Sequence, residues 1–120
     1  MKYMLLIYGD EGSLDLSEAA REDCYKESTL LARDLEAEGR YLACAPLQPT
    51  SSATSVRIRN GKRTVTDGPF AETKEQLGGY FLVQAADLDE AIGIAGRLPG
   101  ARWGTVEIRP VIEIPDLPSD

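Results

Sequence analysis

Two stretches of this chain are apolar at almost every position. Tyr3 to Tyr8 places apolar side chains on both alternating sets, Met4/Leu6/Tyr8 and Tyr3/Leu5/Ile7. A strand buried on both faces reads this way, whereas a half-exposed strand alternates with polar residues. Tyr80 to Ala85 repeats the pattern, with Tyr80/Leu82 on one side and Phe81/Val83 on the other. The spacing predicts two central strands lying side by side.

Helical periodicity follows each of them. Asp15-Leu16-Ser17-Glu18 has capping-box spacing with Asp15 as the cap, and Ala20, Cys24, Leu31 and Leu35 then form one stripe that ends before Gly39. Glu18, Glu22, Asp23, Lys26, Arg33 and Glu36 fall on the opposite, solvated face. Asp87-Leu88-Asp89-Glu90 repeats the cap, with Leu88, Ala91, Ile92, Ala95 and Leu98 as the buried stripe and Pro99-Gly100 as the stop. Tyr41 to Ala45 reads as a strand halted near Pro46, and Pro49 to Ala53 as a polar connection. Val56 and Ile58 alternate with Arg57 and Arg59, Asn60-Gly61 is a favoured two-residue turn, and Lys62 to Thr66 returns with Val65 opposite Val56. A last strand runs from Thr105 to about Ile112, with Val106, Ile108 and Ile112 on one face and Glu107, Arg109 and Glu113 on the other.

The order β-α-β, hairpin, β-α-β predicts an α+β fold, a split βαβ antiparallel sheet with an inserted β-hairpin. Both helices then lie on one sheet face. Because the first strand and the Tyr80 strand are apolar on both sides, the other face also needs cover, and a second copy of the chain is the simplest source. A homodimer is expected.

Composition narrows the function. At 120 residues the chain fits a single domain, residues 1–114, followed by a loose tail, residues 115–120, with two prolines and two acids. Thirteen basic against twenty acidic residues give a net charge of -7, which argues against nucleic acid as a partner. The basic hairpin tip of Arg57, Arg59, Lys62 and Arg63 has no interleaved aromatics and does not change that reading. Histidine is absent, removing the commonest general base and zinc ligand. Cys24 and Cys44 read as small buried hydrophobes, so no metal and no cofactor is expected. The apolar run at the start is too short for a signal segment or a membrane span, which predicts a cytoplasmic protein with no membrane partner.

Between the hairpin and the Tyr80 strand lies Asp67-Gly68-Pro69-Phe70-Ala71-Glu72-Thr73-Lys74-Glu75-Gln76-Leu77-Gly78-Gly79-Tyr80, a rigid turn, a charge cluster and a glycine pair in fourteen residues. This segment, with Met1 to Tyr8, Leu47 to Gly61 and Gly104 to Pro110, resembles the DGPF branch of the YCII-related family. The resemblance implies a ferredoxin-like fold assembled as a dimeric α/β-barrel. Some YCII-related enzymes are thought to use a histidine-aspartate pair, in reactions that include dehydrochlorination of a ring substrate. A chain without histidine departs from that pattern, so any chemistry would rest on carboxylates, Lys74, Arg109 or a tyrosine.

The candidate residues follow from this segment and the strands beside it. Pro69 fixes φ, Gly68 relieves the restriction before proline, and Asp67 can close the turn or, partly buried at a cleft, exchange a proton. Asp67 and Lys74 are the candidate acid-base pair. Glu72, Lys74 and Glu75 form an ionic cluster that could orient an anion. Tyr8, Glu75, Tyr80 and Arg109 are candidate ligand contacts: the tyrosines carry a polar tip, and Arg109 could anchor a carboxylate or pair with Glu107 across a dimer. Gly78-Gly79 precedes a strand and not a helix, so it reads as a bend or bulge and not a phosphate loop. A site near the turn for a small acidic or phenolic ligand is one reading. A non-enzymatic partner of an extracytoplasmic-function sigma-factor system, which the resemblance suggests, is the other, with a purely structural dimer module behind both.

Overall fold

The computed structural model describes residues 1–13 and 17–118. Strand β1 (Lys2–Gly9) leads to helix α1 (Glu18–Ala37) and strand β2 (Tyr41–Pro46). A 3-10 turn (Thr50–Ser52) precedes the hairpin of β3 (Thr54–Arg59) and β4 (Lys62–Asp67). Strand β5 (Gln76–Gln84), helix α2 (Leu88–Ala95), the short helix α3 (Gly100–Trp103) and strand β6 (Thr105–Pro110) complete the order. The main sheet runs β2-β5-β1-β6 with every neighbour antiparallel, while β3 and β4 form a separate two-stranded sheet. This is the ferredoxin-like α+β arrangement, and the two apolar strands occupy its centre as expected.

Register decides which face is the core. Leu5 pairs with Phe81 and Tyr3 with Val83, and these four, all buried, pack with Leu31 and Leu35 of α1 and Ala91, Ile94 and Ala95 of α2. Val106 and Ile108 join the same side, so Glu107 and Arg109 point the other way. Met4, Leu6, Tyr8, Tyr80 and Leu82 line that second face half-buried, with no helix over it among the described residues. Opposite Ile7 and Tyr8 the ladder slips by one residue at Gly78, a β-bulge, and a Cβ on Gly79 would stand 3.0 Å from the Ala45 carbonyl oxygen. The glycine pair is the bend its context predicts.

Four details differ from the sequence expectation. The α1 cap is Ser17, whose side chain accepts from the Ala20 N–H, and the expected cap Asp15 lies outside the described residues. In α2, capped by Asp87 as expected, Ile94 is buried while Leu88 and Ile92 are each 51% exposed. Isoleucines two apart on a helix cannot share a face, and the stripe of Ala91, Ile94, Ala95 and Leu98 lets the backbone approach the sheet closely. The helix also ends sooner than expected, at Ala95, and Pro99-Gly100 opens α3, where a missing N–H is tolerated. Finally β6 stops at Pro110, which cannot donate to the ladder, and leaves Ile112 85% exposed.

Candidate functional site

Helix α1 touches the sheet tightly only in its second half. Leu31 and Leu35 are buried, whereas Ala20, Cys24 and Ser28 are half-buried, because the first half of the helix stands off the strands. The gap is a cavity of about 810 Å³. Its floor is the end of β1 at Ile7–Gly9, the end of β2 at Cys44–Pro46 and the start of β5, and Pro99, Gly100 and Trp103 close one side. Both cysteines line it. They are half-exposed to this space and not fully buried as expected.

Burial, and then the nearby Glu27 carboxylate, push the Cys24 thiol above its usual range. Glu27 is held by Arg102 through two hydrogen bonds of 2.8 Å, which keep its carboxyl below the ordinary carboxylate range. The Arg102 guanidinium also lies 5.3 Å from the centroid of the Trp103 ring. This pair ties α1 to α3 along one wall. Tyr41 donates to Cys44 Sγ at 3.7 Å, an interaction that raises the phenol above its ordinary value.

A second network shapes the mouth. The Glu11 carboxylate accepts from the Thr50 N–H at 3.0 Å and hydroxyl at 2.7 Å, while the Glu11 N–H donates to Gln76 Oε1 at 2.8 Å. Gln76 Nε2 in turn donates to the Thr73 carbonyl at 2.6 Å. The loop after β1, the turn after β2 and the start of β5 are thereby joined. Arg21 and Asp23 line the same cavity, exposed, and their side chains have no hydrogen-bond or ion-pair partner among the described residues.

The structure distributes the sequence candidates over three places. Tyr8 and Tyr80 border the cavity, but the Tyr8 hydroxyl turns to the other sheet face and donates to Glu107 at 3.4 Å. Glu75 sits beside the mouth, accepting from the Thr105 hydroxyl at 2.8 Å, and Arg109 lies on the open sheet face. Asp67 and Lys74 are exposed, outside the cavity lining, and not ion-paired to each other. At the turn itself the Gly68 N–H donates to the Ala53 carbonyl at 2.7 Å, and its own carbonyl accepts from Ser55 Oγ at 2.7 Å. Gly68 has φ of +105°, open to glycine and strained for other residues. The residues that sequence reasoning missed, Arg21, Ser28 and Trp103, carry no local signal, since only the standing-off of α1 brings them together.

Among the described residues no cluster of three or more acidic or cysteine side chains is placed to hold a metal, and no helix is long and apolar enough to cross a membrane. An uncharacterized protein of Rhizobium meliloti (strain 1021) is 38% identical over 114 residues, 92% of each chain. The family model of the YCII-related domain matches residues 1–115. With the split βαβ sheet and the segment after the hairpin both in place, the chain belongs to the YCII-related family.

Proposed function

We propose that this protein is a homodimeric small-molecule-binding protein and that its ligand occupies the cavity under the first half of α1. The cavity carries the reading. Its volume falls within the roughly 300–1,000 Å³ of small-molecule sites, and Phe81, Trp103 and Tyr25 supply aromatic surface for an apolar body. Arg21 can take a carboxylate and Asp23 a phenolic hydroxyl, so the ligand class is a small aromatic acid or phenol. The uncovered face of Met4, Leu6, Tyr80 and Leu82 supports the dimer.

The test is thermal stabilisation by a panel of aryl carboxylic acids and phenols. A binder from the panel should lose its stabilising effect in Trp103→Ala and, for an acid, in Arg21→Ala, while Asp67→Asn and Lys74→Ala leave it intact. If the turn variants lose the effect and the cavity variants keep it, the ligand sits at the turn and the cavity assignment fails.

A further inference from the structure

Trp103 stands on a fixed base with a side chain that its own helix does not hold. Pro99 is fully buried, and a Cβ on Gly100 would stand 2.5 Å from Ile7 Cγ2, so α3 is docked closely against β1. The indole itself is 46% exposed. One turn back along α3 lie only Pro99 and Gly100, and Gly100 has no side chain to pack on the ring.

What lies over the ring is Arg102. Its Cζ is 5.3 Å from the ring centroid, inside the range of a cation–π contact. A free arginine samples many rotamers, but this one is forked onto Glu27 of α1 by two hydrogen bonds of 2.8 Å. The contact therefore runs from α1 through Glu27 and Arg102 to Trp103. Glu27 and Trp103 both line the cavity and Arg102 does not, which puts the guanidinium behind the ring as seen from the cavity.

The magnitude of such a pair indicates what it is for. With side chains 55% and 45% exposed, Arg102 and Glu27 form an ion pair that adds little to stability. Two-fold hydrogen bonding and stacking on an aromatic face instead restrict where each group can point.

We propose that Arg102 is a positioning residue for the ligand site: clamped by Glu27, it stacks behind Trp103 and holds the indole as a flat wall on which an aromatic ligand lays its ring. The inference rests on the cavity reading above and names what gives that site a wall suited to a planar ring.

Trp103 is the single tryptophan of the chain, so its emission reports on this ring alone. Time-resolved fluorescence anisotropy of the ligand-free protein should show a largely immobile indole in the wild type and added fast motion in Arg102→Ala and Glu27→Ala. Both replaced side chains are about half exposed, so circular dichroism should show each variant folded. Quenching of Trp103 by benzoate, phenol and 4-hydroxybenzoate should then give dissociation constants raised about three- to tenfold in both variants, the cost of ordering a side chain on binding. The two variants remove opposite charges, so a purely electrostatic effect would move benzoate affinity in opposite directions, whereas lost positioning weakens it in both. An indole as mobile in the wild type as in the variants overturns the positioning role and leaves the cavity reading standing. So do benzoate affinities that move oppositely or stay within roughly twofold of the wild type. A wild type that binds none of the three probes overturns the cavity reading and this inference with it.

Discussion

Gly104 is the point where α3 meets the end of β1, and replacing it by alanine tests whether that junction is as close as the structure has it. The new Cβ would overlap the Tyr8 carbonyl oxygen, stand 3.1 Å from the Tyr8 carbonyl carbon and 3.2 Å from the Gly9 Cα. All three are backbone atoms, so no rotamer change relieves the clash. Tyr8 cannot recede either, because it is paired to Thr105 on one side and to Leu77 on the other. Overpacking usually costs about 1–3 kcal/mol, and a fixed neighbour puts this change at the top of that range, about 3 kcal/mol. For a 120-residue chain with an unfolding entropy of roughly 2.1 cal/mol/K per residue, the melting temperature should fall by about 12 °C. Gly93→Ala is the control: nothing lies within 4 Å of its added Cβ, and it is exposed inside α2. It should stabilise by about 0.5–1 kcal/mol through helix propensity. Urea denaturation of both variants reads the difference, and a Gly104→Ala protein within 0.5 kcal/mol of wild type, a threshold of roughly the ordinary surface-substitution scatter, would refute the close junction.

Two further predictions concern the cavity wall. With its thiol raised, Cys24 should hold less thiolate at pH 8 than a free cysteine and react with iodoacetamide more slowly, as peptide mass spectrometry would follow; a rate equal to that of glutathione would contradict the burial. The lowered Glu27 carboxyl contributes stability that is present above its unfolded pKa of about 4.3 and is lost as pH falls through the folded value. Arg102→Ala should therefore lower the melting temperature at pH 7, slightly because both side chains are about half exposed, and the difference from wild type should shrink as the pH falls through the folded value of Glu27.

The elements legible in the sequence are those whose pattern is local. Asn60 and Gly61 both adopt positive φ, 54° and 75°, which is what an Asn-Gly turn between alternating strands requires, and Val65 does stand opposite Val56. The pairing of β1 with β5 followed from apolarity on both faces. Where two local solutions compete, sequence alone does not choose: Ser17, two residues after Asp15, is an equally good cap, and Ile92 and Ile94 are both good anchors until packing against the sheet buries Ile94. The cavity was the least legible feature. Its walls come from five separate segments, and it exists because α1 is buried at Leu31 and Leu35 but lifted at Cys24, a tilt that periodicity does not encode.

The segment after the hairpin, singled out by its residue types, acquires a physical role from its neighbours. Gly68 at its start clamps the base of the hairpin, and Gln76 at its end holds Glu11 and with it the cavity mouth. Between them Thr73 donates to the Glu75 carbonyl and Glu75 accepts from Thr105, which ties the connection to the start of β6. Six hydrogen bonds, two at Gly68, one from Thr73, one at Glu75 and two at Gln76, thus run through one short stretch of backbone between the hairpin base and the cavity mouth, which fixes the two relative to each other.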